Sequence, residues 1–383
     1  MTAPLIVLAA GGTGGHVFPA EALASELLDR GYRLALITDR RGAVYGGKLG
    51  SLETWRIRAG GIAGRGLMGR LRGVIDLALG GLQARRILAK LKPAVVVGFG
   101  GYASVPTMMA AQSSFRTVIH EQNGVLGRAN RLMAGRVDRI ATSFAEVKHL
   151  PETARDKVVH VGNPVRPGIA ALRDTPYPAL GRDGALRLLV LGGSQGARAL
   201  SEVVPAALTA LPEALRRRIE ISQQCRPEDI DQVRAAYEGS GIAATLQSFF
   251  DDVPQRLAAS HLVIARSGAS TVAELTAAGR PAILVPYPHA IDDHQTANAH
   301  AVDEVGGAWL MPQDAFTPEA LAARLESLFS LPHSLEKAAA CARLAGRPDA
   351  AQRLADVVAD LIPADLRPQQ QQAPLPHATE MLS

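Results

Sequence analysis

Cysteine is nearly absent: Cys225 and Cys341 are the only two in 383 residues. Two thiols make neither a disulfide framework nor a four-ligand zinc site, so both read as packing residues of a reduced, cytoplasmic protein. Aromatic residues are 4% of the chain, which argues against a receptor built on stacking platforms. No cluster of Lys and Arg is interleaved with aromatics, and this counts against nucleic acid as a partner. The N-terminal stretch is apolar without a preceding basic residue and runs straight into glycines, unlike a secretory signal. The longest uncharged run, Pro93 to Phe115, has the length of a membrane span. However, Gly98, Gly100, Gly101, Ser104 and Pro106 divide it into a strand, a turn and a helix start. No transmembrane segment is expected.

What is present fits a large globular chain. Hydrophobic residues are 47% and charged residues 20%, enough apolar material for sizeable cores. The length suits two domains. Charge is unevenly distributed. Residues 1–163 carry 22 Lys and Arg against 11 Asp and Glu, whereas residues 164–383 carry 19 against 25. A basic first half points to an anionic partner such as a membrane surface or a pyrophosphate.

Short apolar runs alternate with helical patterns. Leu5–Ala10, Leu34–Thr38, Ala94–Phe99, Thr117–His120 and Arg139–Thr142 read as strands in the first half. Leu186–Leu191, Ile219–Ser222, Leu262–Ala265 and Ala282–Val285 do so in the second. Helices are expected at Ala20–Arg30, Leu67–Lys90, Ser201–Leu211, Asp229–Glu238 and Ser270–Ala278. Continuously apolar strands between helices predict parallel sheets covered on both faces. The strand and glycine turn from Leu5 to Gly15 are echoed from Leu188 to Gly196, half a chain later. Two such openings predict two doubly wound α/β domains, 1–163 and 164–362, joined near Val161–Gly168 and facing a cleft. The last helix before residue 362 is a candidate to pack back on the first domain. The glutamine-rich stretch 363–383 is read as a disordered tail.

Polar motifs sit at the strand ends. Gly11-Gly-Thr-Gly-Gly-His16 has the glycines that let a backbone approach a phosphate, but neither the dinucleotide fingerprint nor a P-loop. His16 is placed either to take a proton from a substrate hydroxyl or to cap the helix start. Gly98-Phe-Gly-Gly-Tyr102 follows another strand. His120-Glu-Gln-Asn123 puts four polar side chains at a strand end, costly to bury without partners and better suited to a cleft rim. Ser194 closes the second glycine turn. Ser267-Gly-Ala-Ser-Thr-Val-Ala-Glu274 opens a helix whose N–H groups suit a diphosphate, with Glu274 one turn in for a ribose and Arg266 beside the leaving group. The alternative for this segment is a capping arrangement with Ser270 at the N-cap. His289, Asp292, Asp293 and His294 match no ligand spacing, so no metal is expected there; Gln295 and Asn298 suit sugar hydroxyls. Along Leu67–Lys90, Leu67, Leu71, Ile75 and Leu79 recur at helical spacing among Arg65, Arg70, Arg72, Arg85, Arg86 and Lys90. This is either a core helix with a solvated basic face or a helix lying on an anionic bilayer.

Taken together, Gly-Gly-Thr-Gly-Gly-His-Val-Phe-Pro, His-Glu-Gln-Asn-Gly, Gly-Asn-Pro-Val-Arg, Gly-Gly-Ser-Gln-Gly-Ala and Ser-Gly-Ala-Ser-Thr-Val-Ala-Glu occur in an order that resembles the MurG family. The likeness runs from about Leu5 to Leu361. It implies a GT-B glycosyltransferase with two Rossmann-like domains, transferring GlcNAc from UDP-GlcNAc to lipid I with inversion and no metal cofactor. Donor contacts implied by the resemblance are Thr13, Gly14, Gly15, Asn123, Arg166, Ser194, Phe250, Ala269, Ser270, Thr271, Val272, Ala273, Glu274 and Gln295. Phe250 would lie near the uracil. His16, Tyr102, His120, Glu121 and Arg266 match positions tied to activity, with His16 as first choice of general base, Glu121 as second, and His120 toward the acceptor. The basic helix would meet the cytoplasmic face of an anionic inner membrane, alongside other cell-wall synthesis proteins. Rival readings are a diacylglycerol galactosyltransferase, a UDP-GlcNAc 2-epimerase and a non-enzymatic binding subunit.

Overall fold

The computed structural model describes residues 3–11, 14–39, 47–60, 67–181, 183–193 and 198–368. Two sheets are built entirely from parallel pairs. The first contains β1 (Leu5–Ala9), β2 (Arg33–Thr38), β3 (Glu53–Arg56), β4 (Val95–Gly98), β5 (Arg116–Glu121), β6 (Arg139–Thr142) and β7 (Val158–His160). Its order is β3-β2-β1-β4-β5-β6-β7. The second contains β8 (Leu186–Leu191), β9 (Ile219–Gln224), β10 (Ala243–Gln247), β11 (Leu262–Ala265), β12 (Ala282–Leu284) and β13 (Ala308–Leu310), ordered β10-β9-β8-β11-β12-β13.

Burial on both faces explains the unbroken apolar runs. In β1, Ile6 and Leu8 enter one core while Val7 enters the core on the opposite face. In β8, Leu188 and Val190 likewise oppose Leu189. Strand order reverses between β1 and β4 and again between β8 and β11. Such switch points open a crevice at the carboxyl ends of the strands. The glycine turns after β1 and β4 and the Arg266–Ser270 segment after β11 therefore lie at the two crevices.

Three expectations need correction. The first helix runs Gly14–Asp29 and contains Pro19, so it begins well before Ala20. A proline has no N–H to give the carbonyl four residues back, which leaves Gly15 C=O without its helical donor. Strands β3, β7, β10 and β13 are absent from the sequence expectations because all four are edge strands: β3 and β10 have mostly exposed side chains, and β7 and β13 are only three residues long. The helix Ala269–Ala278 is preceded by Gly268 at the N-cap, not Ser270, and no side chain caps it.

The helix Ala350–Asp360 lies on the first domain. Leu354, Ala355, Val357 and Val358 share a core with Ile6, Leu8 and Leu23. The chain crosses between domains at Gly162, whose φ is +89° and where a Cβ would come 2.5 Å from Arg347 Cβ. Only glycine fits both that backbone and that approach.

Candidate active site

The cleft is lined by strand-end loops from both sheets. On the first domain, the His16 ring packs against the turn after β4: a Cβ on Gly100 would lie 3.3 Å from His16 Cε1 and one on Gly101 3.5 Å from Cδ2. Both glycines have positive φ, +83° and +74°, so the turn is open to glycine alone and brings the backbone flush with the ring. His16 Nδ1 is 3.2 Å from Gln122 Oε1.

The polar run at the end of β5 is buried, contrary to the cleft-rim expectation. His120 is 0% exposed, and Glu121 and Gln122 are 2% exposed. His120 Nε2 meets the Gly162 carbonyl at 3.2 Å, and burial pushes its pKa down to about 4, which keeps the ring neutral. It therefore cannot contact an acceptor directly. Glu121 is also unsuited to act as a base. Its Oε1 accepts from the Asn123 backbone N–H at 3.1 Å, and its Oε2 accepts from Gly127 N–H and Asn130 Nδ2, both at 2.8 Å. With both oxygens occupied, it orders the loop instead.

Asn298, on the helix His294–Asp303, ties this loop to the second domain. Its Oδ1 accepts from Gly124 N–H at 2.7 Å, and its Nδ2 donates to Asn123 Oδ1 at 3.1 Å and to Ser267 O at 3.0 Å. It is 0% exposed, so the sugar-hydroxyl expectation gives way to an interdomain bridge. Asp292 adds a charged contact beside it, accepting from Arg128 and Arg131 at 2.9 and 2.8 Å. The Arg128 and Arg131 hydrogen bonds hold its carboxyl below the usual range. His294 Nδ1 meets Ile291 O and Asp293 accepts from Thr296 Oγ1. Among the described residues no three His, Cys, Asp or Glu side chains converge as metal ligands.

On the second domain, Arg166 and Glu274 form a bidentate pair, Nε to Oε1 at 2.9 Å and Nη2 to Oε2 at 3.1 Å. Burial raises the Glu274 pKa and Arg166 opposes the rise. Arg166 also stands over the Phe18 ring of the first domain, 5.7 Å from its centroid. Val272 is buried in the core below the cleft and Ala269 is 8% exposed, so both offer main-chain groups only. Ser270, Thr271 and Ala273 are partly exposed, and Ser270 Oγ is buried without a partner. Phe250 is 2% exposed in the same core, its ring 4.1 Å from the Arg256 guanidinium carbon. Its ring cannot stack on a base, and its neighbour Phe249 is the exposed one. Gln295 Oε1 accepts from Tyr287 N–H at 2.9 Å.

Arg266 differs most from expectation. Its guanidinium donates to the Val285 and Pro286 carbonyls at 3.1 and 3.0 Å and to Gln313 Oε1 at 2.6 Å. It braces the loop after β12 and is not a free charge facing a diphosphate. Thr13 and Ser194 lie outside the described residues, as does the side chain of Tyr102.

The helix Leu67–Leu91 resolves its two readings along its length. Ala84 and Leu88 are in the core, whereas Ile75 is 50% and Leu79 38% exposed. Val74 and Leu82, which the sequence reading passed over, extend this apolar surface at 52% and 58%. The side chains of Leu67, Arg70, Leu71 and Arg72 lie outside the described residues. Among those described, no helix is long and apolar enough to cross a membrane.

Two doubly wound parallel sheets, with their switch points at one cleft, define the GT-B fold. The glycosyltransferase family 28 N-terminal domain matches residues 6–142 and its C-terminal domain residues 187–354. A Paramagnetospirillum magneticum protein named UDP-N-acetylglucosamine--N-acetylmuramyl-(pentapeptide) pyrophosphoryl-undecaprenol N-acetylglucosamine transferase is 68% identical, over 94% of this chain and 97% of its own length. A Rhodospirillum rubrum protein of the same name is 63% identical, over 94% and 92%. The crystal structure of Acinetobacter baumannii MurG superposes with a TM-score of 0.74 at 29% identity, covering 93% of this chain and 99% of that one. The chain belongs to glycosyltransferase family 28 and, within it, to the MurG family.

Proposed function

We propose that this protein transfers N-acetylglucosamine from UDP-GlcNAc to the muramoyl 4-hydroxyl of undecaprenyl-diphospho-N-acetylmuramoyl-pentapeptide, lipid I, to give lipid II. The observation that carries this is the 68% identity to a transferase of that name over 94% of the chain. Solved UDP-N-acetylglucosamine 2-epimerases share the fold over 92% of this chain but at only 16% and 12% identity.

The chemistry is a single displacement. The acceptor oxygen forms its bond to the anomeric carbon as the bond from that carbon to the UDP β-phosphate oxygen breaks and its electron pair leaves with UDP. The hydroxyl proton passes to His16 Nε2. The first N–H groups of the helix Ala269–Ala278 receive the diphosphate charge, a role for which this mechanism uses no metal. Glu274 receives the ribose hydroxyls, exchanging part of its pairing with Arg166. The exposed apolar face at Val74, Ile75, Leu79 and Leu82, flanked by exposed Arg85 and Arg86, rests on the cytoplasmic face of an anionic membrane where the acceptor is anchored.

The test is transfer of label from UDP-GlcNAc to a short-chain lipid I analogue with EDTA present, beside a UDP-galactose and diacylglycerol pair. Labelled disaccharide lipid is expected despite the chelator. Absence of transfer to the lipid I analogue, with UDP still bound, sinks the acceptor assignment.

A further inference from the structure

The buried end of the β5 motif dictates the direction of a hydrogen-bond chain that ends on His16. The Gly162 carbonyl can only accept, so His120 Nε2, 3.2 Å away, carries a hydrogen. In a neutral ring Nδ1 is then bare, and it accepts from Gln122 Nε2 at 3.1 Å. Two further acceptors, Phe99 O at 3.0 Å and His120 O at 3.1 Å, face the same Gln122 nitrogen. They fix the amide with its nitrogen inward. Gln122 Oε1 is thereby turned to His16 Nδ1 at 3.2 Å. An amide oxygen has no hydrogen to give, so His16 Nδ1 must be the donor. A neutral imidazole with its hydrogen on Nδ1 has its lone pair on Nε2.

We propose that Gln122, oriented by His120 and the Phe99 carbonyl, is a positioning residue that sets the tautomer of His16 and so makes Nε2 the proton-accepting atom of the transfer. The inference rests on His16 being the general base. Gln122 itself touches no reacting atom; it acts through His16, as the carboxylate of a hydrolytic triad acts through its histidine. The low pKa of His120, about 4, keeps the inner end of the chain single-donating around neutral pH. The glycine turn at Gly100 and Gly101 adds steric confinement of the ring, so tautomer and orientation are set by separate contacts.

The experiment is a long-range nitrogen–proton correlation spectrum of the full-length protein labelled with nitrogen-15 histidine, above the pH at which imidazoles titrate. The His16 signal is identified by its loss in His16→Asn. The wild type should show His16 protonated on Nδ1. In Gln122→Met, which keeps the length and removes the acceptor, the Nε2-protonated form should become populated. In that variant kcat should fall about 10- to 100-fold, with the KM for UDP-GlcNAc moving by less than about twofold. Wild-type His16 protonated on Nε2 overturns the proposal without any variant. So does a Gln122→Met enzyme with unchanged kcat, or one whose KM rises in step with its loss of kcat. If His16→Asn retains full kcat, the base assignment fails, while the spectra still report whether Gln122 sets the tautomer.

Discussion

Asn298 of the second domain donates to Asn123 Oδ1 of the first at 3.1 Å while accepting from the neighbouring Gly124 N–H at 2.7 Å. One buried amide thus joins the loop after β5 to the helix that follows β12. The bridge also reaches Ser267 O, next to the helix proposed to hold the diphosphate. The interdomain contact and the segment that leads into that helix therefore share a side chain.

Asn298→Ala should loosen this joint. It leaves Gly124 N–H and two further polar groups without partners in a dry site, a loss of about 1–3 kcal/mol. Urea unfolding should move to lower denaturant. Asn298→Asp keeps the acceptor toward Gly124 but turns a buried carboxylate oxygen against Asn123 Oδ1 and Ser267 O, so it should destabilise at least as much in the same assay. Equal midpoints for wild type and Asn298→Ala would show that the bridge contributes nothing to stability.

His120 makes stability depend on pH in a set direction. Its folded pKa, about 4, lies below the ordinary 6.5. The unfolded chain therefore binds a proton first as pH falls. The contribution is complete above pH 6.5 and is lost progressively down toward pH 4. Between about pH 7 and pH 5 this group alone should cost about 2 kcal/mol. Denaturation midpoints measured across that range should fall more steeply for the wild type than for His120→Gln.

Glu274→Gln should act on donor binding. A charge-assisted hydrogen bond is worth about 1.5–3 kcal/mol, so the KM for UDP-GlcNAc should rise about 10- to 100-fold with a smaller change in kcat. Isothermal titration with UDP gives the same comparison without turnover. Unchanged UDP affinity would remove Glu274 from the ribose site.

The exposed face of the helix Leu67–Leu91 predicts a separable membrane phenotype. Ile75→Glu with Leu79→Glu removes apolar contact from residues that are already 50% and 38% exposed, so folding should be little affected. Each buried side chain of this type contributes about 1.5–3 kcal/mol, and binding to anionic vesicles in a flotation assay should drop at least about tenfold. Activity on a water-soluble acceptor analogue should remain. Equal flotation of variant and wild type would place the membrane contact elsewhere.

Much of this protein is determined by its sequence alone. Strands such as Ile6–Leu8 and Leu188–Val190 had to be apolar on both faces because helices cover both sides of each sheet, and that pattern survives in one dimension. Glycine turns at strand ends and the order of the motifs carried the two-domain architecture and the family likeness. Tertiary structure alone decided what the motif residues do. His120, Glu121 and Gln122 looked like a wet rim because burying three polar side chains is costly; Gly162, Gly127, Asn130 and Phe99, remote in sequence or on other elements, satisfy them and remove the cost. Arg266 carries a charge whose partners, Val285, Pro286 and Gln313, are supplied by later segments. The helix Ala350–Asp360 has an apolar stripe that names no destination until the chain returns to Ile6 and Leu8. Periodicity encodes which faces must be buried, whereas the partner that buries each face, or completes each hydrogen bond, is a long-range fact that exists only once the chain has closed on itself.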